Sequence, residues 1–396
     1  MPSKFIEGVY PIYLEKSFGC YVATDDGYQF IDYPLGLGAI LLGYSYLPIT
    51  VALVRQLVKG NIFTLPSIQE TILAQKLKKL IPSCEMVRFL KTGSEATSAA
   101  VRIARAYTSK EHIACCGYHG WHDWYTATTP KAKGIPKATG SCVHKFEYNN
   151  IDSLKTIFEN NKNKVACVIL EPCIFEEPKD NFLKKVIELA HKNGAIVIFD
   201  EVVTGFRFPG FSAQKFYKVK PDMTTLGKAM GNGIPISCVC GKREIMKELE
   251  GNCFVSSTFG GDLLGIIAAL ETIRILETED VLGHIWYIGQ YLKDGYNEIA
   301  KSLDLDTSCV GYPNRTMHLF PTSAHKSLFW QECIRRGILF GYAQFISYSH
   351  QQKDIDYTLY VVKEALKVLK ENWKDPIKAL DGKPAEEVFR LLANKE

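Results

Sequence analysis

Two short stretches of the chain, Val165–Leu170 and residues 195–199, contain no polar residue at all. Uninterrupted apolar runs of this length fit strands buried on both faces. Between them, residues 182–191 place Leu183, Val186, Ile187 and Ala190 on one helical face, and Gly194 stands where a helix stop is wanted. Strand, helix and strand in that order predict a parallel sheet with right-handed crossovers. A second amphipathic helix is predicted over 93–107, with Ala96, Ala99, Ala100, Ile103, Ala104 and Tyr107 along one side. Residues 113–116 and Met223–Leu226 read as further strands. Upstream, 20–33 alternates around Asp25-Asp26-Gly27, which predicts a hairpin. Residues 70–80 form a helical stretch that Pro82 stops. Beyond about residue 270 the pattern turns helix-rich (264–277 and 355–371), with two strand-like runs at 317–320 and 345–348. That region predicts a second, smaller α+β domain. The expected division is an N-terminal segment 1–50 contributing to the small domain, a large α/β domain over 51–265, and a small domain over 266–396.

Composition adds exclusions. The 396 residues are 46% hydrophobic and 23% charged, with a formal net charge of +4, ordinary for a globular protein. Neither the charge nor any basic, aromatic-laced run makes a case for nucleic acid. The first seven residues hold no apolar core of a secretory signal, and no window approaches 18 consecutive apolar residues. The twelve cysteines lack framework or zinc-knuckle spacing, which fits reduced thiols in a cytoplasmic protein.

The chemistry collects where parallel strands end, since ligands bind outside the carboxyl ends of such strands. Glu171 and Asp200 both stand there. Twenty-eight positions beyond Asp200 comes Lys228, inside Leu226-Gly227-Lys228-Ala229-Met230-Gly231. Pyridoxal 5′-phosphate (PLP) needs one amine to form a Schiff base with its aldehyde. It also needs one carboxylate to keep its ring nitrogen protonated. Asp200 and Lys228 would supply the two; a strand-end acid pairing with Arg207, and one lysine among many, are the plainer alternatives. Val202, two residues past Asp200 on an extended chain, would pack on a ring face.

Other segments suit the same ligand. Thr92-Gly93-Ser94-Glu95 fits a capping box, and a helix N-terminus also binds phosphate through free amides and its dipole. Tyr118 and His119 follow the strand at 113–116; Tyr118 is either a ring-stacking residue or a buried loop aromatic. Trp121, His122, Trp124 and Tyr125 make an aromatic segment suited to a substrate mouth. His119 and His122 have no partners spaced to complete a metal site, so no metal is expected. Residues 256–261, Ser-Ser-Thr-Phe-Gly-Gly, are a second candidate anion loop.

In this order, Lys91-Thr92-Gly93-Ser94-Glu95-Ala96, Gly117-Tyr118-His119-Gly120, Leu170-Glu171-Pro172, the run from Phe199-Asp200-Glu201-Val202 to Arg207, Leu226-Gly227-Lys228 and Ser257-Thr258-Phe259-Gly260-Gly261 resemble the class III aminotransferases. The closest look is to glutamate-1-semialdehyde aminomutase-like proteins of PLP fold type I. The resemblance covers roughly residues 18–370. It implies a large domain with a mostly parallel seven-stranded sheet and a smaller α+β domain. It implies Lys228 as the Schiff-base lysine and Asp200 on the ring nitrogen, with Tyr118 and Val202 sandwiching the ring. Thr92, Gly93 and Ser94 would form the phosphate turn, with His119 and Glu171 beside the cofactor. Thr258 would reach the phosphate of a neighbouring subunit's cofactor in a homodimer. Three departures stand against an aminomutase. Residues 341–347, Gly-Tyr-Ala-Gln-Phe-Ile-Ser, lack the gatekeeping glutamate. The N-terminal arginine stretch is shortened, leaving Tyr10, Tyr13 and Lys16. Phe175-Glu176-Glu177-Pro178 replaces a Gly-Asn loop. A plain transaminase is therefore expected, moving an amino group from a donor such as glutamate to an aldehyde or ketone, with sugar-type or secondary-metabolite acceptors as candidates; an intramolecular aminomutase is the alternative.

Overall fold

A computed structural model describes residues 9–11 and 13–385; the first seven residues, where no secretory signal is expected, lie outside them. The chain forms two compact units. Among the described residues, one runs from Val51 to Arg274, and the other joins the chain before residue 51 with residues 275–385.

The Val51–Arg274 unit is built on a seven-stranded sheet. Its spatial order is Met86–Leu90, Ser237–Gly241, Met223–Leu226, Ile196–Asp200, Val165–Leu170, His112–Cys116 and Val143–Lys145. Every pairing from Met223–Leu226 outward to Val143–Lys145 is parallel. Ser237–Gly241 runs antiparallel to both its neighbours. Helices cover both faces, which is why the two central strands are buried at every position. Successive residues go to opposite sides. Ile169 and Ile198 pack with Ala96, Ala100 and Ile103 of the helix Gly93–Thr108. Val168, Val197 and Phe199 pack with Leu154 and Phe158 of Ile151–Asn160 and with Leu183 and Val186 of Phe182–Lys192.

The other unit holds a four-stranded sheet in the order Lys16–Phe18, Tyr21–Ala23, Gln29–Asp32 and Ile338–Leu339. The expected hairpin is its antiparallel pair Tyr21–Ala23 and Gln29–Asp32. A three-stranded sheet is formed by Ser308–Tyr312, Arg315–Leu319 and Gln344–Phe345. Long helices Val281–Ser302 and Gln352–Glu371 complete the unit. The strand expected over 345–348 is only Gln344–Phe345. Ser347 turns the chain off the sheet: its amide and hydroxyl lie 3.1 and 2.9 Å from His350 Nδ1.

His318 in this unit carries a pH prediction. Its ring stacks on Tyr296 with centroids 4.4 Å apart, and neither ring nitrogen has a hydrogen-bond partner among the described residues. Burial, with a smaller contribution from Lys326, lowers its pKa to about 3. The folded chain thus keeps His318 neutral while the unfolded chain takes up a proton near pH 6.5. Its contribution is full above pH 6.5 and is lost as the pH falls toward 3. At pH 5 the loss is about 2 kcal/mol. Urea unfolding of wild type and His318→Phe should show that extra loss between pH 7 and 5 in the wild type only.

Candidate active site

The parallel strands bring the predicted residues to one edge of the sheet. Asp200 closes its own strand, Glu171 follows Val165–Leu170, Gly117-Tyr118-His119 follow His112–Cys116, and Gly227-Lys228 follow Met223–Leu226. Asp200 is 4% exposed. Its Oδ2 lies 2.8 Å from Nδ1 of His119, while Oδ1 accepts from the Thr225 hydroxyl at 3.1 Å and from the Val202 amide at 3.2 Å. A carboxylate only accepts here, so His119 Nδ1 carries the proton of that bond. The side-chain partner of Asp200 is His119 and, among the described residues, not Arg207.

His119 is itself held in place. Its ring lies nearly parallel to that of Trp124, at 11° with centroids 6.2 Å apart, and its carbonyl accepts from Thr97 Oγ1 at 2.8 Å. Its Nε2 is buried without a hydrogen-bond partner among the described residues. Glu171 is buried and takes the amide of Tyr118 at 2.9 Å. Gly117 makes this approach feasible: at φ 104, a Cβ there would lie 3.0 Å from Glu171 Oε1.

Val202 reaches the site differently from expectation. The chain leaves the strand at Asp200 and enters a turn at Val202, so the two do not lie on one extended segment. The turn is built on Glu201, which is fully buried. Its carboxylate accepts from the amides of Ala213 and Gln214, the Gln214 side chain and the Thr204 hydroxyl. Burial pushes its carboxyl above the usual range against those hydrogen bonds. In this turn Val202 stands between two other motifs: a Cβ on Gly93 would sit 2.8 Å from Val202 Cγ1, and one on Gly227 3.6 Å from the same atom.

The Thr92 turn is a capping box. Thr92 Oγ1 accepts from the Glu95 amide at 3.2 Å and Glu95 Oε2 accepts from the Thr92 amide at 2.7 Å. Ala96 makes the first bond back to the Thr92 carbonyl, so the Gly93 and Ser94 amides precede the helical ladder. Ser237 Oγ fixes the Thr92 carbonyl at 2.7 Å. Lys228 is half-buried and left-handed, with φ 44, a conformation uncommon without glycine and concentrated at functional sites. It lies three positions beyond Thr225, a reach of at most about 10 Å.

The aromatic segment divides in two. Trp124 and Tyr125 are core residues, whereas Trp121 is 70% exposed. Thr258 is exposed and bonds to none of the Asp200 cluster within the described residues. Its loop is tied down by Arg88 to the Val255 carbonyl, Arg102 to the Phe254 carbonyl and a Lys91–Asp262 ion pair. Thr225, Thr97, Ser237 and the structural role of Glu201 have no motif of their own. Burial of hydroxyls on a strand, as in Thr224-Thr225, is the one sequence signal that marks any of them.

A family model described as aminotransferase class-III matches residues 6–307. The chain belongs to the class III aminotransferases. It is 36% identical over 384 residues to a 3-aminobutyryl-CoA aminotransferase of Cloacimonas acidaminovorans, covering 93% of this chain and 92% of the relative. It is also 36% identical over 392 residues to a glutamate-1-semialdehyde 2,1-aminomutase of Methanothrix thermoacetophila, covering 90% of each. In fold it matches the PLP internal aldimine form of FumI from Sphingopyxis sp. MTA144, with a TM-score of 0.90 at 24% identity, over 97% of this chain and 93% of the other. This is the fold type I architecture of PLP transaminases, and the cofactor of this class III aminotransferase is PLP. The residues fit it: a buried carboxylate at a strand end, a glycine at the helix N-terminus too close to Val202 for a Cβ, and a left-handed lysine beyond the adjacent strand.

That closeness makes Gly93→Ala informative. The added methyl forces Val202 aside, an overpacking cost of about 1–3 kcal/mol. The aminotransferase should lose about tenfold in PLP affinity, read by titrating the apoenzyme. Gly93→Ala with Val202→Ala should remove the clash, read as recovery of the thermal stability that Gly93→Ala alone loses.

Proposed function

We propose that Lys228 is the lysine that holds PLP, and that the enzyme passes an amino group from a donor such as glutamate to an aldehyde or ketone acceptor of sugar or secondary-metabolite type. The Asp200 arrangement carries this reading: a buried carboxylate oriented by three hydrogen bonds at the sheet edge where Gly227-Lys228 leaves the neighbouring strand. PLP, when bound, supplies an aldehyde carbon that takes the amine and a ring that accepts electrons. Asp200 accepts the N–H of that ring, and His119 keeps the carboxylate aimed. Tyr118 and Val202 bracket the ring, with Glu171 holding the Tyr118 backbone. The Gly93 and Ser94 amides take the phosphate, and Thr92 shapes their turn. Lys228 Nζ carries the proton between substrate and cofactor carbons. A donor–acceptor screen following the cofactor's absorbance tests the reading, with sugar carbonyls beside keto acids and a CoA-linked 3-amino acid. No spectral change with any amine would overturn it.

A homodimer is part of the proposal, with Thr258 reaching the neighbouring subunit's phosphate. The helix Leu47–Leu57 supports it: Leu47, Val54 and Leu57 are each more than half exposed, as are Leu65 and Ile68 just beyond. An apolar surface of that extent marks an interface. Sedimentation should give a dimer, and Val54→Glu with Leu57→Glu should give a monomer of reduced activity. We place the enzyme in the cytoplasm, where its twelve free thiols suit a reducing environment. No helix among the described residues is long and apolar enough to cross a membrane.

The relatives named glutamate-1-semialdehyde 2,1-aminomutase favour a second reading, rearrangement within one substrate molecule. It predicts isomer formation without any external amino donor. Strict dependence on a donor decides for the transaminase.

A further inference from the structure

Beyond the aromatic segment the chain makes a closed excursion over residues 127–140. Its ends meet, since a Cβ on Gly140 would lie 3.4 Å from the Ala127 Cβ. Thr128 and Thr129 pin its start through hydroxyl bonds of 2.8 Å to the carbonyls of Tyr125 and Thr126. Pro130 and Pro136 stiffen it by fixing φ. Compact excursions of this size are frequently functional.

Its charge is one-sided. From residue 124 to 146 the chain has four lysines and no acidic residue. Lys131, Lys133 and Lys137 are all exposed on the excursion, and Lys133 and Lys137 form no ion pair among the described residues.

The excursion is also coupled to the site. Tyr125, on which it is anchored, donates its hydroxyl to the Gly117 carbonyl at 2.8 Å. The Tyr125 ring lies edge-on to those of Tyr118 and His119, with centroids 5.5 Å away in each case. In the same segment the exposed Trp121 has its amide tied to Ser94 Oγ at 3.3 Å, while its indole faces outward. An open aromatic face stacks on a nucleobase. Lysines on a stiff loop bind phosphate without a large ordering cost.

We propose that Trp121 with Lys131, Lys133 and Lys137 binds a nucleoside diphosphate handle on the substrate, the base on the indole and the phosphates on the lysines. This rests on the aminotransferase reading and names the substrate class of that site. CoA thioesters and nucleotide sugars share the handle.

The test is calorimetric titration of acetyl-CoA and of UDP-glucose into the PLP-loaded enzyme at low salt, beside the triple variant Lys131→Gln/Lys133→Gln/Lys137→Gln and Trp121→Ala. At least one ligand should bind with a Kd below about 1 mM. The triple variant should weaken it about tenfold or more, and raising the salt toward 0.5 M should do the same in the wild type. Binding of one ligand alone identifies the source of the handle. The proposal fails if neither ligand binds, or if the triple variant binds as tightly as the wild type. Neither ligand carries an aliphatic amine for transfer, so the titration stands apart from turnover. A wrong aminotransferase reading shows instead as an amine-insensitive cofactor spectrum.

Discussion

Replacing Lys228 with alanine should lower amino transfer by a factor of about 10⁴ or more and remove the visible absorbance of lysine-bound PLP. Two functions are lost with one side chain. On the roles proposed for Lys228, the amine that would anchor the cofactor goes, and so does the base that would move the proton between carbons, a role worth about 10²–10⁴ by itself. The fold should survive the change, because the half-buried side chain opens the short 3-10 turn Lys228–Gly231 and belongs to neither the Ile169 nor the Val168 core cluster. Alanine at this left-handed position is no worse placed than lysine, since both carry a Cβ at φ 44. Absorbance spectra of both proteins, with stopped-flow measurement of the amine half-reaction, make the check. An unchanged visible band in Lys228→Ala assigns the anchoring role to another lysine.

Asp200→Asn should reduce the half-reaction rate about 10³-fold while PLP stays bound. A unit charge about 3 Å from the ring nitrogen is worth about 5 kcal/mol gross at an effective dielectric of 20, before desolvation is subtracted. Asparagine is nearly isosteric, and its oxygen can still accept from Thr225 and the Val202 amide. The loss should therefore appear in kcat and not in cofactor retention. His119→Phe should fall between the two enzymes, near tenfold, because His119 orients Oδ2 without supplying the charge. An Asp200→Asn enzyme within tenfold of wild type would show that the carboxylate does not hold the ring nitrogen.

The central strands were legible because a strand covered on both faces needs apolar side chains throughout, and Val165–Leu170 and residues 195–199 both meet that condition. The helix at Gly93 was legible from its Thr92–Glu95 box, which operates within four residues. Asp200 and Lys228 stood out for the same local reason: an acid directly after an apolar run, and a lysine beside a glycine. His119 was less clear. Its partner is 81 positions away, and nothing near His119 in the chain announces a carboxylate. The Val202 turn was missed because Glu201, the residue that makes it, finds its partners at 204, 213 and 214, where no pattern pointed. The strand at 345–348 was overread for a similar reason, since the Ser347–His350 bond competes with the sheet.

Sequence by itself determined the kind of chemistry and the elements that carry it, since strand burial, helix capping and the acid–amine pair are all encoded over a few neighbouring residues. The tertiary structure decided which groups meet. The parallel register set Asp200 beside Thr225, close packing put Val202 between Gly93 and Gly227, and the His112–Cys116 strand delivered His119 to the carboxylate. Such meetings depend on strand order and side-chain packing across tens of residues, and those are properties of the folded chain rather than of any segment of it.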